Sequence, residues 1–527
     1  MSGMAIHIGE MLARNARMFP GSTALVERSP AERKRITITW HEFDRRANMF
    51  AQALRGMGIK KGDRVMHLMH NSIDWLVVYF GIVRTGAWVV PLNFRFTADD
   101  IQYCAKVAEP RMFVFGEEFR ERLESIKDTL HSVEKYIHVG ETVPPFFAQA
   151  YATLLAGAPA DPMQVEITME DPCGLYFTSG TTGQPKPILL THKNMESACI
   201  AENRHHFQTK EDNFILIPPL YHTGAKMHWF GSLIVGGPAV ILKGISPQWI
   251  LEAVSEEKGT IVWLLVPWAQ DILLKLDSGE LKLEHYELAQ WRLMHIGAQP
   301  VPPSLIAHWK RYFPEMGYDT TYGLSEATGP NCVHLGIENT RKIGAIGRPG
   351  FNWETRIVDE QGDDVISGQP GELIVRGNGV MREYYKNPEA TAKALKDGWL
   401  YTGDMVREDE EGFIYIVDRK KDVIITGGEN VFPVEVENFL HAHTAVKDVA
   451  AIGFPDERLG EVVAVVVDPV PGKELSEADV LEYCQALPKY KRPRKVFFGE
   501  VPRNPTGKIE KPKLRKKYTG AEEAFKL

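Results

Sequence analysis

The sequence predicts an α/β protein, and three patterns along the chain indicate this fold class. Strand-like and helix-like apolar periodicities alternate as far as residue 300, which is typical of sheets covered by helices. Short β-type runs with Gly and Asp turns follow at about 343–380 and indicate a small β-rich subdomain. Beyond a charged link at 418–422, the chain has a separate alternating pattern and a basic end. We therefore expect an N-terminal domain at 1–419 and a C-terminal domain at 420–527.

The first predicted elements illustrate the alternation. Residues 40–60 repeat apolar side chains at helical spacing, and the pattern ends at Gly58. A strand is predicted at 65–69, a mostly buried helix at 75–84, and a further strand beginning at Val89. This order of strand, helix and strand is that of an α/β sheet with helices on its faces.

Length and composition limit the classes of protein. A chain of 527 residues is too long for one compact core. The net charge of −8 argues against a nucleic-acid binder, so that any phosphate site must be built locally. The five cysteines are scattered without a CxxC pair, which suits a reducing compartment and argues against a disulfide framework or a zinc site. A homodimer is compatible with the sequence.

No targeting or membrane segment is visible. Residues 1–10 lack a basic region followed by a long apolar core, which a signal peptide would need. The longest uncharged apolar run, 227–242, is interrupted by glycines and a proline and is too short to span a bilayer. We therefore expect a cytoplasmic enzyme without a transmembrane segment.

A phosphate-binding loop is predicted at 178–186, between two apolar runs. Its glycines let backbone N–H groups approach an anion, its hydroxyls donate hydrogen bonds, and its lysine adds positive charge. Only two residues separate the glycines, so the loop is not a Walker P-loop. A surface turn is the alternative interpretation. The candidate phosphate ligands are Thr178, Ser179, Gly180, Thr181, Thr182, Gly183 and Lys186.

This loop resembles the signature of the adenylate-forming (ANL) superfamily, and further motifs resemble those of its AMP-forming acyl-CoA synthetases across roughly residues 20–517. The resemblance implies a large N-terminal domain of two α/β sheet subdomains and a small β-barrel-like subdomain, followed by a small mobile α+β domain. It implies that a small-molecule carboxylic acid attacks the α-phosphate of ATP and that the thiol of coenzyme A then displaces AMP. ATP, Mg²⁺ and coenzyme A are the implied cofactors.

Two segments resemble the family's adenine and phosphate motifs. In the segment 321–326, the resemblance implies that Tyr322 stacks on adenine, Ser325 contacts the α-phosphate and Glu326 holds Mg²⁺, a cation that prefers oxygen ligands. Taken alone, this segment is as well explained by a strand-to-turn connection with a surface glutamate. The other residues implied at the ATP site are Thr321, Gly323, Gly297, Ala298, Gln299 and Pro300.

The ribose motif is represented by Asp404, which ends a Tyr-Thr-Gly-Asp turn, and the resemblance adds Arg419 as a second ribose contact. One carboxylate can accept hydrogen bonds from both ribose hydroxyls, so an aspartate suits recognition of a diol. A Gly-Asp turn alone is weak evidence because it is common turn chemistry. The position of Asp404 in the order of motifs gives the assignment its weight.

The C-terminal part carries three further resemblances. Lys421 falls where relatives keep a hinge, although without the resemblance a solvated charge run is the strongly favoured interpretation. Gly427, Gly428 and Glu429 resemble the loop that lines the tunnel for the pantetheine of coenzyme A. Lys508, in a Pro-Thr-Gly-Lys turn, resembles the catalytic lysine that bridges the carboxylate and the α-phosphate.

The acyl pocket is the least specified part of the sequence. His222 resembles the family's gating residue, although a structural histidine is the simpler interpretation. Lys226 lies four residues later, so on a helix it would share the face of His222 and could select an acid with a polar far end. Trp229 and Gly323 complete the predicted pocket, and Trp263 and Trp268 suggest a short one, suited to a small, medium or ring-bearing acid. Core tryptophans would look much the same.

Two positions of the sequence depart from the pattern of the family. Pro187 and Glu383 stand where relatives usually have glycine, which affects the mobility of the phosphate loop more than its chemistry.

One alternative is a stand-alone adenylation enzyme that loads an acid onto a carrier protein. Another is a ligand-binding relative without activity, against which the joint retention of Lys508, Glu326 and Asp404 argues.

Overall fold

The computed structural model describes residues 6–178, 185–297, 300–334, 341–419, 422–427, 429–504 and 507–520. The helices within these residues are α1 (Ile8–Met18), α2 (Trp40–Gly56), α3 (Ile73–Arg84), α4 (Ala98–Ala108), α5 (Arg120–Ile126), α6 (Tyr151–Gly157), α7 (His192–His206), α8 (Thr223–Val235), α9 (Pro247–Glu256), α10 (Val266–Asp277), α11 (Pro303–Tyr312), α12 (Pro388–Ala394), α13 (Pro433–His441), α14 (Glu477–Tyr483) and α15 (Lys511–Thr519).

The strands fall into two groups along the chain. Those of the first group are β1 (Thr23–Ser29), β2 (Lys34–Thr39), β3 (Arg64–Leu68), β4 (Trp88–Pro91), β5 (Met112–Gly116), β6 (Lys135–Val139), β7 (Ala148–Ala150), β8 (Pro172–Thr178), β9 (Lys186–Thr191), β10 (Phe214–Leu216), β11 (Ala239–Leu242), β12 (Ile261–Leu265), β13 (Leu293–Gly297) and β14 (Gly317–Asp319). Those of the second are β15 (Thr321–Gly323), β16 (Pro330–Val333), β17 (Arg348–Pro349), β18 (Trp353–Val358), β19 (Gly371–Gly377), β20 (Glu383–Tyr384), β21 (Leu395–Lys396), β22 (Trp399–Glu408), β23 (Ile414–Arg419), β24 (Ile424–Thr426), β25 (Glu429–Val431), β26 (Val446–Asp456), β27 (Gly460–Pro469) and β28 (Lys495–Phe498).

Two large, mostly parallel sheets form the first part of the chain. One has the strand order β14-β13-β12-β10-β11-β1-β2, and the other has the order β20-β9-β8-β4-β3-β5-β6-β7. Helix α8 lies between them, because Phe230 on α8 packs against Tyr79 and Phe80 of α3 at centroid distances of 6.2 and 5.8 Å. The predicted α/β fold with two sheet subdomains is therefore confirmed.

Smaller sheets follow. Strands β18, β19, β21, β22 and β23 form an antiparallel sheet, and β15, β16 and β17 form a three-stranded one. A five-stranded sheet in the order β25-β24-β27-β26, with β28 beside β27, makes up the C-terminal part. The chain changes sheet between Arg419 and Ile424, which is where the sequence predicts the domain boundary. Lys421, the predicted hinge, lies outside the described residues.

Helix α2 shows why the periodicity was informative. The predicted apolar positions, among them Trp40, Phe43 and Leu54, are completely buried. The Thr39 side chain accepts a hydrogen bond from the Glu42 N–H and caps the helix N-terminus. Gly58, just beyond the last turn, has a φ of +96°, a conformation that glycine adopts at little cost.

None of the helices within the described residues is long and apolar enough to cross a membrane.

Candidate active site

Tyr322, Asp404 and Arg419 meet at one point of the structure, as the ATP-site prediction requires. The Tyr322 hydroxyl donates a hydrogen bond to the Asp404 carboxylate, and Arg419 Nε lies 3.0 Å from Asp404 Oδ1. Asp404 and Arg419 face each other in the register of β22 and β23, which fixes their pairing. Asp404 raises the pKa of Arg419 although burial opposes this, so the guanidinium is permanently charged. The pair forms a rigid polar surface that can accept hydrogen bonds from a diol.

Glu326 is held by a residue that the sequence analysis missed. The Tyr384 hydroxyl donates to Glu326 Oε1 at 2.8 Å, and the Met381 N–H donates to the Glu326 carbonyl oxygen at 2.7 Å. Lys186 Nζ lies 5.4 Å from the centroid of the Tyr384 ring. Burial, and then the neighbouring Glu326, raise the pKa of Tyr384. Tyr384 therefore connects the lysine of the predicted phosphate loop with the predicted metal ligand.

The position of Tyr384 follows from strand pairing. Strand β20 is antiparallel to β9, with Glu383 opposite Leu189 and Tyr384 opposite Ile188. Side chains alternate along a strand, so a residue next to Glu383 projects to the opposite face of the sheet. Glu383, which departs from the family pattern, occupies an ordinary position at the edge of the sheet. The only signal in the sequence was the aromatic pair at 384–385.

Thr178 and Lys186 frame the predicted phosphate loop. They pair directly in the antiparallel register of β8 and β9, so the two ends of the loop lie side by side. The predicted ligands Ser179, Gly180, Thr181, Thr182 and Gly183 lie outside the described residues. Pro187 pairs with Phe177, and its carbonyl accepts the Tyr385 N–H at 2.9 Å, so its lack of an N–H is accommodated.

Lys508 reaches this site from the C-terminal sheet. A Cβ added at Gly507, whose φ is +80°, would lie 3.1 Å from Leu265 Cδ1 at the end of β12, so the turn packs closely on the N-terminal domain. The Lys508 N–H donates to Asn504 Oδ1 at 3.0 Å, and Asn504 N–H donates to the Lys508 carbonyl at 2.9 Å. These two hydrogen bonds fix the turn that presents the lysine.

The side chain of Lys508 lies among charged residues of the N-terminal domain, which affect its pKa. Lys508 is exposed to solvent, although protein groups lie close around the end of its side chain. Burial, and then Arg419, lower the pKa of Lys508 to about 8, while Asp404 and Glu326 act in the opposite direction. The structure thus brings Lys508 together with Asp404, Arg419 and Glu326, four residues predicted from separate motifs.

Further contacts join the two domains near the site. The Gln270 side chain donates to the Lys447 carbonyl at 3.3 Å, and Ser304 donates to the His441 carbonyl at 3.4 Å. Both donors lie in or at the start of helices that follow strands of the seven-stranded sheet. The C-terminal part therefore contacts helices α10 and α11, which follow β12 and β13.

Helix α8 presents one face to Trp263. A Cβ added at Gly224 would lie 3.2 Å from Trp263 Cη2, and the His228 ring lies 4.3 Å from that of Trp263. Thr223 Oγ1 lies 3.4 Å from Ser325 Oγ, so the start of α8 adjoins the predicted α-phosphate ligand. The face of α8 that carries Gly224 and His228 therefore packs against Trp263, close to Ser325.

Lys226 lies on a different face of α8 from Gly224 and His228, so its role in an acyl pocket stays a prediction. His222 is the N-cap of α8, with an extended backbone. Lys226 lies roughly 160–200° around the helix from Gly224 and His228. Its Nζ is 4.3 Å from the Tyr176 ring centroid and donates to the His222 carbonyl at 3.1 Å. Burial lowers the pKa of Lys226 well below its ordinary value.

The other predicted pocket residues have mixed surroundings. Burial, and then Lys508 and Lys226, lower the pKa of His222 to about 3, so this histidine is neutral and lies near Lys508. Trp229 is completely buried and packs against Phe230 at a centroid distance of 5.6 Å, as a core residue would. A Cβ added at Gly323 would lie 2.4 Å from the Gly329 carbonyl oxygen, so no larger residue fits.

The remaining predicted positions lie at strand ends. Gly297 ends β13 opposite Leu265, and Thr321 begins β15 directly after β14. Of the residues after Gly297, Pro300 is described and belongs to no helix or strand, while Ala298 and Gln299 lie outside the described residues. Gly427 has a φ of +59° and Glu429 begins β25, whereas Gly428 is also outside the described residues.

Comparisons with known proteins agree with this geometry. The chain matches the family described as AMP-binding enzyme over residues 12–385 and the AMP-binding enzyme C-terminal domain over residues 435–508. Because the first match covers most of its length, the chain belongs to the AMP-binding enzyme family. Its fold and its site define an adenylate-forming enzyme.

Individual relatives are similar over nearly the whole chain. The feruloyl-CoA synthase of an Amycolatopsis species is 31% identical over 515 residues, which cover 97% of this chain and 99% of that protein. The indoleacetate–CoA ligase of Aromatoleum aromaticum is 30% identical over 515 residues, with 97% and 98% covered. Among solved structures, the anthranilate CoA ligase AuaEII with anthranoyl-AMP has a TM-score of 0.89 at 26% identity, with 98% of each chain covered. ATP-bound MatB from Rhodopseudomonas palustris has a TM-score of 0.86 at 28% identity, with 97% and 99% covered.

Proposed function

We propose that the protein is an AMP-forming acid–CoA ligase. In the first half-reaction, a carboxylate attacks the α-phosphate of ATP, forming acyl-AMP and releasing pyrophosphate. In the second, the thiol of coenzyme A attacks the acyl carbon and AMP leaves. The observation that carries the proposal is the position of Lys508 in the same cleft as Asp404, Arg419 and Glu326.

The first half-reaction requires neutralisation of negative charge. Asp404, held by Arg419 and Tyr322, is oriented to accept the ribose hydroxyls and so to fix the nucleotide. Lys508 then supplies positive charge between the attacking carboxylate and the α-phosphate, where charge develops in the transition state. The turn at 504–508 keeps this lysine in place, so little reorganisation is needed during the reaction.

Glu326 fits the role of a magnesium ligand. One of its oxygens is oriented by Tyr384, and the other has no hydrogen-bond or ion-pair partner among the described residues. Mg²⁺ commonly binds one or two carboxylates together with substrate phosphates, and it would reduce the repulsion between ATP and the acid. Tyr384 therefore acts as a positioning residue for the carboxylate of Glu326.

The second half-reaction requires a site for coenzyme A. A cavity of about 360 Å³ in the C-terminal part is lined by Gly427 and Glu429, the described members of the predicted tunnel loop. Its other lining residues include the basic Lys489, Arg492 and Arg494. These cations suit the phosphates of coenzyme A. Because Lys508 lies near Asp404, Arg419 and Glu326 of the proposed ATP site, we infer that the C-terminal part rotates about Lys421 before the thiol attacks.

The acid is proposed to be compact and ring-bearing. Trp263 closes the pocket face of α8, since its ring contacts both Gly224 and His228. Similar proteins include feruloyl, indoleacetate and anthranilate ligases, all of ring-bearing acids. A flat ring can stack on Trp263 or meet it edge to face.

A panel of acids tests this proposal. Pyrophosphate release is measured with ATP, Mg²⁺ and each of several aromatic, alicyclic and linear acids, followed by chromatographic detection of AMP and the CoA thioester. We expect release for ring-bearing acids and thioester formation only when coenzyme A is added. Formation of acyl-AMP that transfers to a phosphopantetheinylated carrier protein, but not to coenzyme A, would favour the carrier-loading alternative.

A further inference from the structure

A cluster of polar side chains lies beside Trp263, apart from the catalytic groups. His205 and His206 end helix α7, His295 lies on β13, and Asp319 ends β14. All four are buried, with at most 3% of each residue exposed. The mechanism proposed above uses none of them.

The polar atoms of these side chains converge on one point. Asp319 Oδ2 lies 2.8 Å from His205 Nε2, 3.0 Å from His206 Nε2 and 3.3 Å from His295 Nδ1. His206 Nε2 and His295 Nδ1 are themselves 3.1 Å apart. One ring nitrogen from each histidine therefore faces the same carboxylate oxygen.

Two arrangements fit these atoms. Without a metal, a proton on His206 Nε2 can be shared between Asp319 Oδ2 and His295 Nδ1, both of which then accept. With a cation at the centre of the four atoms, each atom directs a lone pair towards it.

The geometry and the ligand types suit zinc. Tetrahedral Zn²⁺ has bonds of about 2.0–2.1 Å to histidine nitrogen and carboxylate oxygen, so its ligand atoms lie about 3.3 Å apart. The measured separations of 2.8–3.3 Å approach this value before any ion is bound. We propose that His205, His206, His295 and Asp319 form a closed, structural Zn²⁺ site. The scattered cysteines argued against zinc, but this site contains no cysteine.

A second layer of groups supports the assignment. His205 Nδ1 lies 3.0 Å from the Ala201 carbonyl oxygen, to which it donates when Nε2 binds a metal. Glu202 is completely buried, and its Oε1 lies 2.6 Å from His228 Nδ1. Its Oε2 lies 3.7 Å from His206 Nδ1. The charges of Glu202 and Asp319 together would balance a dication.

A contact of Gln208 is compatible with a metal-free hydrogen-bond network. Its amide nitrogen lies 3.2 Å from His206 Nδ1, which suits a metal-free ring protonated at Nε2. The oxygen and nitrogen of an amide are assigned from the surrounding hydrogen bonds, so the proton on His206 determines which of them faces the ring. A metal-free hydrogen-bond network is therefore the alternative outcome of the test.

The site would stabilise the base of the nucleotide pocket. It joins α7 to β13 and β14, and these strands lead directly into Gly297 and into the segment beginning at Thr321. The metal would contact neither ATP nor the acid. We expect its loss to lower the melting temperature and to raise KM for ATP more than it lowers kcat.

Metal content is measured by plasma mass spectrometry on the full-length wild type, grown with added Zn²⁺ and purified without chelator. We expect about one zinc per chain, and after replacement by Co²⁺ the visible absorption of a tetrahedral ion. His206→Gln should lose the metal, and Glu202→Gln should weaken its affinity by about 10- to 100-fold. The matched control is His192→Gln, which changes a buried histidine of the same helix outside the cluster and should retain zinc.

Wild-type protein that contains no zinc, and takes up neither Zn²⁺ nor Co²⁺ after dialysis against a chelator, would overturn the proposal. Equal loss of metal from His192→Gln and His206→Gln would also overturn it, because binding would then not depend on the cluster. If His206→Gln does not fold, the wild-type stoichiometry and the Co²⁺ spectrum still decide the question.

Discussion

The hydroxyl of Tyr384 donates a hydrogen bond of 2.8 Å to Glu326 Oε1 and so connects the end of the phosphate loop to the proposed magnesium ligand. The bond depends on strand β20 pairing with β9, since the two residues are 58 positions apart in the chain. Glu326 is thereby oriented before ATP arrives.

Tyr384→Phe tests this orientation. The variant keeps the ring beside Lys186 but loses the hydrogen bond to Glu326. A hydrogen bond to a charged group contributes about 1.5–3 kcal/mol, so we expect kcat/KM for MgATP in pyrophosphate exchange to fall about 10- to 100-fold. Tyr385→Phe serves as the neighbouring control. Equal effects of both variants would mean that Tyr384 does not act through Glu326.

Asp404→Ala tests the ribose assignment. The variant leaves Arg419 without its partner and removes the acceptor for the ribose hydroxyls, so KM for ATP should rise by at least about 10-fold. The preference for ATP over 2′-deoxy-ATP should shrink in the variant. Glu410→Ala, an exposed change beyond the end of the same strand, is the control. An unchanged preference would show that Asp404 does not contact the ribose.

The pH dependence of adenylate formation follows from Lys508. Its pKa is lowered to about 8, so the charged form is present below that pH and is lost as the pH rises through it. We therefore expect the rate of pyrophosphate exchange to fall above about pH 8. In Lys508→Arg the guanidinium stays charged, and whatever activity remains should keep its rate to higher pH. If the rate of Lys508→Arg fell above the same pH as that of wild type, Lys508 would not be the group whose deprotonation causes the fall.

Lys226→Met is expected to stabilise the protein at neutral pH. Burial lowers the pKa of Lys226 in the folded state, so the unfolded chain binds more protons below its ordinary pKa of about 10.4 and unfolding is favoured there. The gain over wild type should shrink as the pH rises towards 10. Urea unfolding at pH 7 and pH 9.5 measures this, with the exposed Lys106→Met as control.

The same variant addresses the substrate. Because Lys226 lies away from Trp263, its replacement should change kcat/KM for simple, keto- and dicarboxylic acids by similar factors. A selective loss on the polar acids would restore the interpretation of Lys226 as a pocket residue and contradict the position described here.

Short motifs were enough to predict the proposed site residues because each motif carries its chemistry within a few residues. Asp404, Arg419, Glu326 and Lys508 could all be assigned from their motifs, and the structure brings them into one cleft. The α/β fold was equally predictable, since helical and strand periodicities alternate over long segments. The order of motifs, rather than any one of them, identified the superfamily.

Contacts between distant segments could not be predicted in this way. Tyr384 reaches Glu326 only because β20 adds to the edge of a large sheet. Lys226 does contact the His222 carbonyl four residues before it, but its packing against the Tyr176 ring on β8 could not be predicted from that spacing. The histidine cluster joins residues more than 100 positions apart, such as His205 and Asp319, and no local pattern indicates it.

Separate measurement of the two half-reactions in Lys508→Ala tests the central claim most directly. Pyrophosphate exchange should fall by about 10²–10³-fold, since one positioned charge is lost from the site. Transfer of a supplied acyl-AMP to coenzyme A should remain close to wild type, and Lys513→Ala, an exposed lysine of the same tail, should retain both activities. Near-normal pyrophosphate exchange by Lys508→Ala, or equal loss of both half-reactions, would contradict the assignment of Lys508 to adenylate formation.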